Sequence, residues 1–166
     1  MITSTLPDYG RYVLTGLGHQ TLVFPDVMVA EIMLVDRSYL LNIPFFGSAI
    51  LGVIQQQGNI IPLVSLRRAL GEQNVLIPEK ITVIRLSDFA DDLTDELVGT
   101  GLVVDKVLSS VSAEQYTASL PARIASQGSS QTSSQVSSQI HIRIEHLLTQ
   151  LPTHVWQPQR WQPQVG

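Results

Sequence analysis

The spacing of apolar residues is the feature that most constrains this fold. Apolar and polar residues mostly alternate over short runs, as in "RYVLT" and "ITVIRL", and glycines separate many of these runs. Alternation with a period of two, in aliphatic and β-branched residues, is typical of half-buried strands. The chain has 166 residues, of which 44% are apolar, enough for one domain with a core or for two small lobes that share one. Short strands at even spacing with glycine turns predict small β-barrels.

The N-terminal part of this pattern predicts a β-hairpin. Its strands lie near Arg11–Thr15 and Gln20–Phe24, with Gly16 and Gly18 supplying the turn conformations. Asp26 follows, and its carboxylate is placed to cap a short helical turn. The stretches "AEIMLVD" and "GSAILGVIQ" are further strand candidates.

A second hairpin is predicted in "LGVIQQQGNIIPLVSLRRALG". One strand is Leu51–Gln55 and the next is Ile60–Val64, joined by Gln56, Gln57, Gly58 and Asn59. Gly58 can take a positive φ without steric cost. Pro62 has no N–H to donate, so its nitrogen should face an edge or a bulge. Ser65 is a good N-cap for a short helix over Leu66–Leu70 that Gly71 terminates.

The second half of the chain repeats the strand pattern. Ile81–Leu86 is a predicted strand, and His141–Ile144 is a late strand before the short helix "EHLLTQL". Asp105 is predicted to repeat the role of Asp26 and to open a turn over "KVLSSV". The residues expected to be mostly buried in the core are Val53, Ile61, Leu63, Val103 and Val107.

Two segments fall outside the pattern. Ser126–Gln139 carries repeats of SSQ and cannot bury enough apolar area to order, so a flexible insert is predicted there. Residues 152–166 form a tail rich in Trp, Gln and Pro that should be extended, following a folded domain over residues 1–151. Trp156 and Trp161 in this tail are predicted either to anchor a partner or to fold back onto the chain's own barrel.

The residues that carry chemistry are few. There is no cysteine, the four histidines have no metal-ligand spacing, and no phosphate-binding or nucleophile motif occurs. The acidic run from Asp88 to Glu96 lacks the spacing of a calcium loop. The formal net charge of −4 argues against binding to nucleic acid, and no segment is long and apolar enough to cross a membrane. We therefore expect no enzyme activity, no cofactor, no metal site and no small-molecule substrate, in a cytoplasmic protein-binding module.

The second hairpin resembles the signature segment of the CheW-like family of chemotaxis scaffolds. The match runs through Gly52–Ile54, Gly58, Ile61–Pro62 and Leu66–Arg67, and the segments Gly101–Ser112 and His141–Leu148 resemble later parts of the family pattern. The resemblance implies an all-β fold of two small five-stranded, SH3-like barrels packed together. It also implies an adaptor that couples chemoreceptors to a histidine kinase of the CheA type, with one lobe on the kinase and the groove between the lobes on the receptor tip.

The chain departs from the family pattern in the turn of this hairpin. Gln57 stands where the family has arginine, Gln55 where it has asparagine and Ser65 where it has aspartate. Glutamine cannot provide the charged, bidentate grip of arginine. Two interpretations follow: an adaptor in a chemotaxis-like array, or a diverged scaffold recruited to another complex. A small β-barrel enzyme or ligand carrier is a third.

The partner-binding residues predicted from the sequence are in the hairpin turn, the short helix and the tail. For the two helix arginines, the alternative is that they are ordinary exposed residues. The full set is Gln56, Gln57, Gly58, Arg67, Arg68, Trp156 and Trp161.

Overall fold

The computed structural model describes residues 10–44, 46–89, 97–119 and 140–151, which form two curled β-sheets with short helices. In chain order the elements are β1 (Arg11–Leu17), β2 (Gln20–Pro25), β3 (Val29–Asp36), β4 (Ile50–Gln56), β5 (Asn59–Ser65), α1 (Leu66–Ala69), β6 (Lys80–Leu86), β7 (Gly101–Val104), β8 (Lys106–Ser112), α2 (Ala113–Ser119), β9 (Ile140–Arg143) and α3 (Ile144–Gln150). The predicted all-β fold in two lobes is confirmed.

The larger lobe is a five-stranded sheet in the order β3-β6-β7-β5-β4. After β3 the chain turns back, and Leu41 forms a bridge with Val53 on the free edge of β4, with both backbone hydrogen bonds at 2.8 Å. This bridge brings the two edges of the sheet together. Gly52 permits it, because a Cβ at Gly52 would lie 2.3 Å from the carbonyl oxygen of Leu41. The glycine at this position in the sequence is therefore a requirement of closure.

The smaller lobe is a sheet in the order β8-β1-β2-β9, in which β9 runs parallel to β2 and the other pairs are antiparallel. The resemblance implied five strands in each lobe, and the described residues supply four here. Asp105 alone separates β7 of the larger lobe from β8 of the smaller one. At this point the chain therefore passes from the larger lobe to the smaller one over a single residue, whereas it passes from β2 to β3 over Asp26–Met28.

The main hydrophobic core lies between the two sheets and under α3. Residues from both lobes meet in it, among them Leu22 and Phe24 of β2, Ile84 of β6 and Leu102 of β7, all with no exposed surface. Leu147 and Leu148 of α3 complete the layer. The two sheets are thus joined by a shared apolar face, as a chain of this length needs in order to bury enough surface.

Each lobe also has a smaller core of its own. Ile61 and Leu63 are buried in the core of the larger lobe, and Val53 is also buried, as predicted, while Val103 is partly buried. The prediction for Val107 is wrong, because its side chain is 36% exposed. It lies on β8, the outer strand of its sheet, where residues 106–110 are exposed on both faces of the strand.

The predicted caps and turns have mixed outcomes. Ser65 is the N-cap of α1 and accepts a hydrogen bond from the Arg68 N–H, and Gly71 has a φ of +93° just after that helix, both as predicted. The prediction for Asp26 is wrong: Pro25 is the residue before the short 3-10 turn, and no side chain caps it. The prediction for Asp105 is also wrong, because residues 106–112 form a strand and the carboxylate binds elsewhere.

The prediction for Pro62 is confirmed by the ladder around it. Its partner on β4 is Val53, whose N–H and C=O both bond to Leu41 on the other side. The nitrogen of Pro62 therefore faces away from β4, and pairing with β7 on that side begins only at Leu63. No N–H is needed at this position.

Several predicted segments lie outside the described residues. They are the insert Ser126–Gln139, most of the acidic loop, and the tail with Trp156 and Trp161. Within the described ranges, none of the helices has the length and apolar character needed to cross a membrane.

Candidate functional site

The turn between β4 and β5 is a tight, exposed hairpin tip. Gln56 and Asn59 pair across it, which leaves Gln57 and Gly58 as a two-residue connection, shorter than the four residues predicted. Both central residues have positive φ, +50° for Gln57 and +81° for Gly58. A hairpin turn with two positive φ values matches the twist of the strands, and Gly58 adopts it without strain while Gln57 does not.

The two glutamines of this tip have different environments. Gln57 is exposed, whereas Gln56 is half-buried and donates a hydrogen bond from Nε2 to Oε1 of Glu31, at 3.1 Å. Glu31 lies on β3, across the closed edge of the larger sheet. Gln56 therefore fixes the hairpin against β3, and Gln57 is the side chain that the tip presents to solvent.

A small polar network continues from Gln56. Glu31 also pairs with Arg85 of β6, with 3.6 Å between Oε2 and Nη1. The Oε1 atom of Gln56 and the Nε atom of Arg85 are buried without a hydrogen-bond partner. Leaving buried polar atoms unpaired costs about 1–3 kcal/mol each. The network is thus held by Glu31 alone, at the root of the exposed tip.

Arg67 of α1 is bound by carboxylates of its own chain. Its Nε and Nη2 atoms donate to Oδ1 and Oδ2 of Asp105, at 2.9 and 2.6 Å, and its Nη1 atom donates to Glu72 at 3.0 Å. The same Oδ2 atom of Asp105 accepts from the backbone N–H of Gly18, at 2.8 Å. One carboxylate therefore ties α1 of the larger lobe to the β1–β2 turn of the smaller lobe.

This arrangement shifts the pKa values of both partners. Burial raises the pKa of Asp105, but the hydrogen bonds from Arg67 and Gly18 and the positive charge of Arg67 outweigh it, so the pKa lies below its ordinary value. The hydrogen bond to Asp105 raises the pKa of Arg67 well above its ordinary range. Both groups are charged at neutral pH, as a bidentate ion pair requires.

Arg68 binds backbone oxygens rather than carboxylates. Its Nη1 atom donates to the carbonyl of Ser48 at 3.2 Å, and its Nη2 atom donates to that of Val75 at 3.4 Å. Neither arginine is the simple exposed residue of the alternative interpretation. Their binding to an external partner stays a prediction, and such a partner would compete with these internal contacts.

An apolar strip on β3 was missed by the sequence analysis. Ile32 pairs with Ile84, which pairs in turn with Leu102, and these last two belong to the core between the lobes. Side chains of paired residues share a face of the sheet. Ile32 and its neighbour on that face, Leu34, therefore extend the inter-lobe face to β3, where they are 47% and 68% exposed. The unbroken apolar run "IMLV" within β3 is the sequence signal for a strand with two apolar faces.

A cleft of about 480 Å³ lies at the lobe junction, beside α1. Its apolar lining includes Leu17 of the smaller lobe and Leu51, Val103 and Val104 of the larger lobe. Residues 72–78, here called the strap, form one wall without regular secondary structure. Arg67, Glu72 and Asp105 also line it. The cleft is of a size that holds a small molecule or a few side chains.

Within the residues that the structure describes, no group of three or more His, Asp or Glu side chains could hold a metal ion. The polar groups described above hold strands, helix and lobes together. The features of the described surface that are open to a partner include the exposed tip at Gln57, the apolar strip at Ile32 and Leu34, and the cleft.

Comparison with known proteins identifies the family. A family model described as CheW-like domain matches residues 11–142, which is most of the chain. Among solved structures, the chain is similar to the scaffolding protein TtCheW from Thermoanaerobacter tengcongensis, with 19% identity and a TM-score of 0.48 over 62% of this chain and 64% of that one. No curated protein was found to match the chain. The match over residues 11–142 shows that this protein belongs to the family of CheW-like domains.

Proposed function

We propose that this protein is a non-catalytic cytoplasmic adaptor that couples chemoreceptors to a histidine kinase of the CheA type through protein contacts. Membership of the CheW-like family supports the proposal. The observation that carries it is the apolar strip of Ile32 and Leu34, because it supplies a contact surface where the family places the receptor tip, along the groove between the lobes.

The strip has the physical character of a contact surface. Ile32 continues a face that is fully buried at Ile84 on the neighbouring strand, and Leu34 lies beside Ile32 on that face, yet more than two fifths of each strip side chain is open to solvent. When a partner covers exposed apolar side chains, the binding free energy becomes more favourable by about 25 cal/mol per Å² of buried surface. A receptor segment that presents an apolar helix face would provide that cover.

The hairpin tip is proposed as a second contact, toward the kinase. Gln57 and Gly58 are exposed at a turn whose root is fixed by Gln56 and Glu31. A fixed turn loses little conformational entropy when a partner binds it. The two proposed contacts involve different residues, so they can be tested separately.

One observation favours a second candidate function, a diverged scaffold in a different complex. Gln57 replaces the family's arginine, and it is the residue of the two-residue turn that presents a side chain to solvent. Loss of a guanidinium removes a charged, bidentate donor, and a partner that depends on it would bind less well. A partner with neutral acceptors would not be affected.

An affinity pull-down from cell extract, with identification of the bound proteins, separates these functions. The wild-type chain is compared with Leu34→Asp, which places a charge on the strip, and with Gln57→Ala at the tip. We expect the wild-type chain to recover a histidine kinase and a chemoreceptor, Leu34→Asp to lose the receptor, and Gln57→Ala to recover less kinase. Leu108→Asp on β8, an exposed apolar residue outside both proposed contacts, is the control for charge alone.

The outcomes are distinct. Recovery of other proteins without a kinase or receptor would reject the chemotaxis adaptor in favour of the diverged scaffold. Receptor recovery that Leu34→Asp leaves unchanged would reject the strip as the receptor contact. Catalytic turnover of a small molecule by the purified chain would reject both adaptor functions.

A further inference from the structure

We infer that the cleft beside α1 binds the chain's own tail, with the indole ring of Trp161 in the cleft and Arg160 at its acidic rim. This is an interaction within the protein, and it does not depend on the proposed adaptor function. Four observations carry it: the cleft's preformed shape, its lining, its distance from the point where the tail begins, and its charge.

The cleft is held open by specific hydrogen bonds. The strap that forms its wall has no strand or helix to support it, and side chains from elsewhere fix its backbone. Arg37 donates from Nη1 to the carbonyl of Ile77 at 2.8 Å, and Arg68 donates to the carbonyl of Val75. The ion pair between Arg67 and Glu72 fixes the start of the strap. A strap held in this way keeps the cleft from collapsing onto its apolar floor.

Leu76 of the strap does not fill the cleft with its side chain. Leu76 belongs to the lining and is 90% exposed, the highest value among the large apolar side chains that the structure describes. The floor, formed by residues such as Leu17 and Val103, is apolar. An aromatic side chain in this place would cover both Leu76 and the floor, and tryptophan buries about 150–250 Å² when it does so.

The tail can reach this place. It follows Leu151, whose side chain is buried in the same hydrophobic cluster as Leu17 and Val104, and both of these residues also line the cleft. Trp161 is ten positions after Leu151, so an extended segment spans up to about 33–36 Å. The radius of gyration of a compact chain of this length is about 15 Å. The extended length of the segment from Leu151 to Trp161 is thus about twice the radius of gyration, which is enough for Trp161 to arrive at the cleft.

Charge favours Trp161 over Trp156 as the bound ring. The rim carries two carboxylates, Glu72 and Asp105, against one guanidinium, Arg67, which leaves a net charge of −1. Glu72 is half-exposed, so it can accept a second cation. Arg160, directly before Trp161, is the one Lys or Arg in residues 152–166, which contain no Asp or Glu. Its charge complements the rim.

Tryptophan fluorescence tests the inference, because the chain has two tryptophans. In the Trp156→Phe variant of the full chain, Trp161 is the remaining reporter. We expect its emission to lie at a shorter wavelength than that of tryptophan in water and to be shielded from acrylamide. Leu76→Asp and Glu72→Lys, made in this variant, should shift the emission to longer wavelength and raise the quenching, because they remove apolar cover and reverse a rim charge.

Matched controls show whether these effects belong to the cleft. Ile60→Asp makes the same kind of change at an exposed apolar residue outside the lining, and Glu79→Lys reverses an exposed charge just beyond the strap. Both should leave the emission unchanged, and circular dichroism checks that all variants fold. Water-like emission of Trp161 in the isolated protein would overturn the inference, even if the emission shifts on addition of a partner. Short-wavelength emission that neither cleft variant changes would overturn it too, since the ring would then pack elsewhere.

Discussion

Two hairpin turns in the described part of the chain have the same length and opposite environments. Gly18 and His19 join β1 to β2, while Gln57 and Gly58 join β4 to β5. The N–H of Gly18 is bound by the carboxylate of Asp105, and a Cβ there would lie 3.7 Å from Arg67. A Cβ at Gly58 would have no neighbour within 4 Å. One turn is part of the joint between the lobes, and the other is free.

This difference separates two uses of a tight turn. The Gly18 turn is held by a charge that also holds α1, so its residues serve the arrangement of the lobes. The Gln57 turn is fixed only at its root and leaves its side chain to solvent, which is the state that a recognition surface requires. Substitutions that affect the Gly18 turn should therefore change the stability of the protein, whereas substitutions in the Gln57 turn should change its binding to a partner.

The largest effect is expected at the base of the free hairpin. Gly52→Ala would place a Cβ 2.3 Å from the Leu41 carbonyl, at a φ of +148° that alanine rarely adopts. Overpacking and backbone strain each cost about 1–3 kcal/mol, so the unfolding free energy should fall by about 3–5 kcal/mol in urea denaturation. Gly10→Ala is the control, since a Cβ there meets nothing within 4 Å. Equal stability of the two variants would mean that the Leu41 bridge does not close the larger sheet.

The next effect is expected at the bound turn. Asp105→Ala removes the acceptor of three hydrogen bonds, two from Arg67 and one from Gly18. Bonds to a charged group contribute about 1.5–3 kcal/mol each when buried, and partial exposure reduces this, so we expect a loss of about 2 kcal/mol in all. Asp26→Ala, which removes an aspartate whose side chain caps no helix, should change stability by no more than about 0.5 kcal/mol.

The dependence on pH provides a second measurement of the same contact. The folded protein holds the pKa of Asp105 below its ordinary value. A lowered carboxyl pKa contributes stability that is present above the unfolded pKa of about 4 and is lost as pH falls toward the folded pKa. When the pH is lowered below 4, the unfolding free energy measured by chemical denaturation should therefore fall less in Asp105→Ala than in the wild type. Parallel pH profiles would contradict the role of this carboxylate.

The two turns also differ in how much of their structure could be predicted from the sequence. Strand positions and the positive φ of Gly58 follow from alternation and from the backbone freedom of glycine, both of which are local. The predictions for Asp26 and Asp105 failed because both aspartates were given the same local capping role. Asp105 instead binds Arg67, which is 38 residues away in sequence, and no local pattern encodes that contact.

The candidate contact surfaces show the same limit. Gln57 at the tip could be chosen from the sequence because a hairpin turn projects its central residues. Gln56 could not be distinguished from Gln57, since its contact with Glu31 depends on the closing of the sheet. The exposure of Ile32 and Leu34 depends on how much of the larger sheet is covered by the smaller one. That extent is decided by packing between the lobes and not by the composition of β3.

A smaller effect is expected at Gly58, where the free turn has backbone demands of its own. Gly58→Val would force a β-branched residue into a φ of +81°, which costs about 1–2 kcal/mol although no contact is lost. Gly58→Asn is the control, because asparagine tolerates this conformation better. Thermal denaturation should rank wild type, Asn and Val in decreasing stability. A valine variant as stable as the wild type would contradict the tight turn.

The smallest effect on stability, and the most informative effect on function, is expected for Gln57→Ala. The side chain is exposed and the backbone conformation is equally unfavourable for both residues, so stability should change by no more than about 0.5 kcal/mol. Affinity for the kinase should fall if the amide contacts it, as titration calorimetry with the purified partner would measure. Gln57→Gly serves as the matched variant, since it removes the same side chain but relieves the strain of positive φ. If the side chain makes the contact, both variants lose affinity although the glycine variant is the more stable. If the alanine variant keeps its affinity and only the glycine variant changes, turn geometry is recognised instead, and unchanged affinity in both would remove the free turn from the interface.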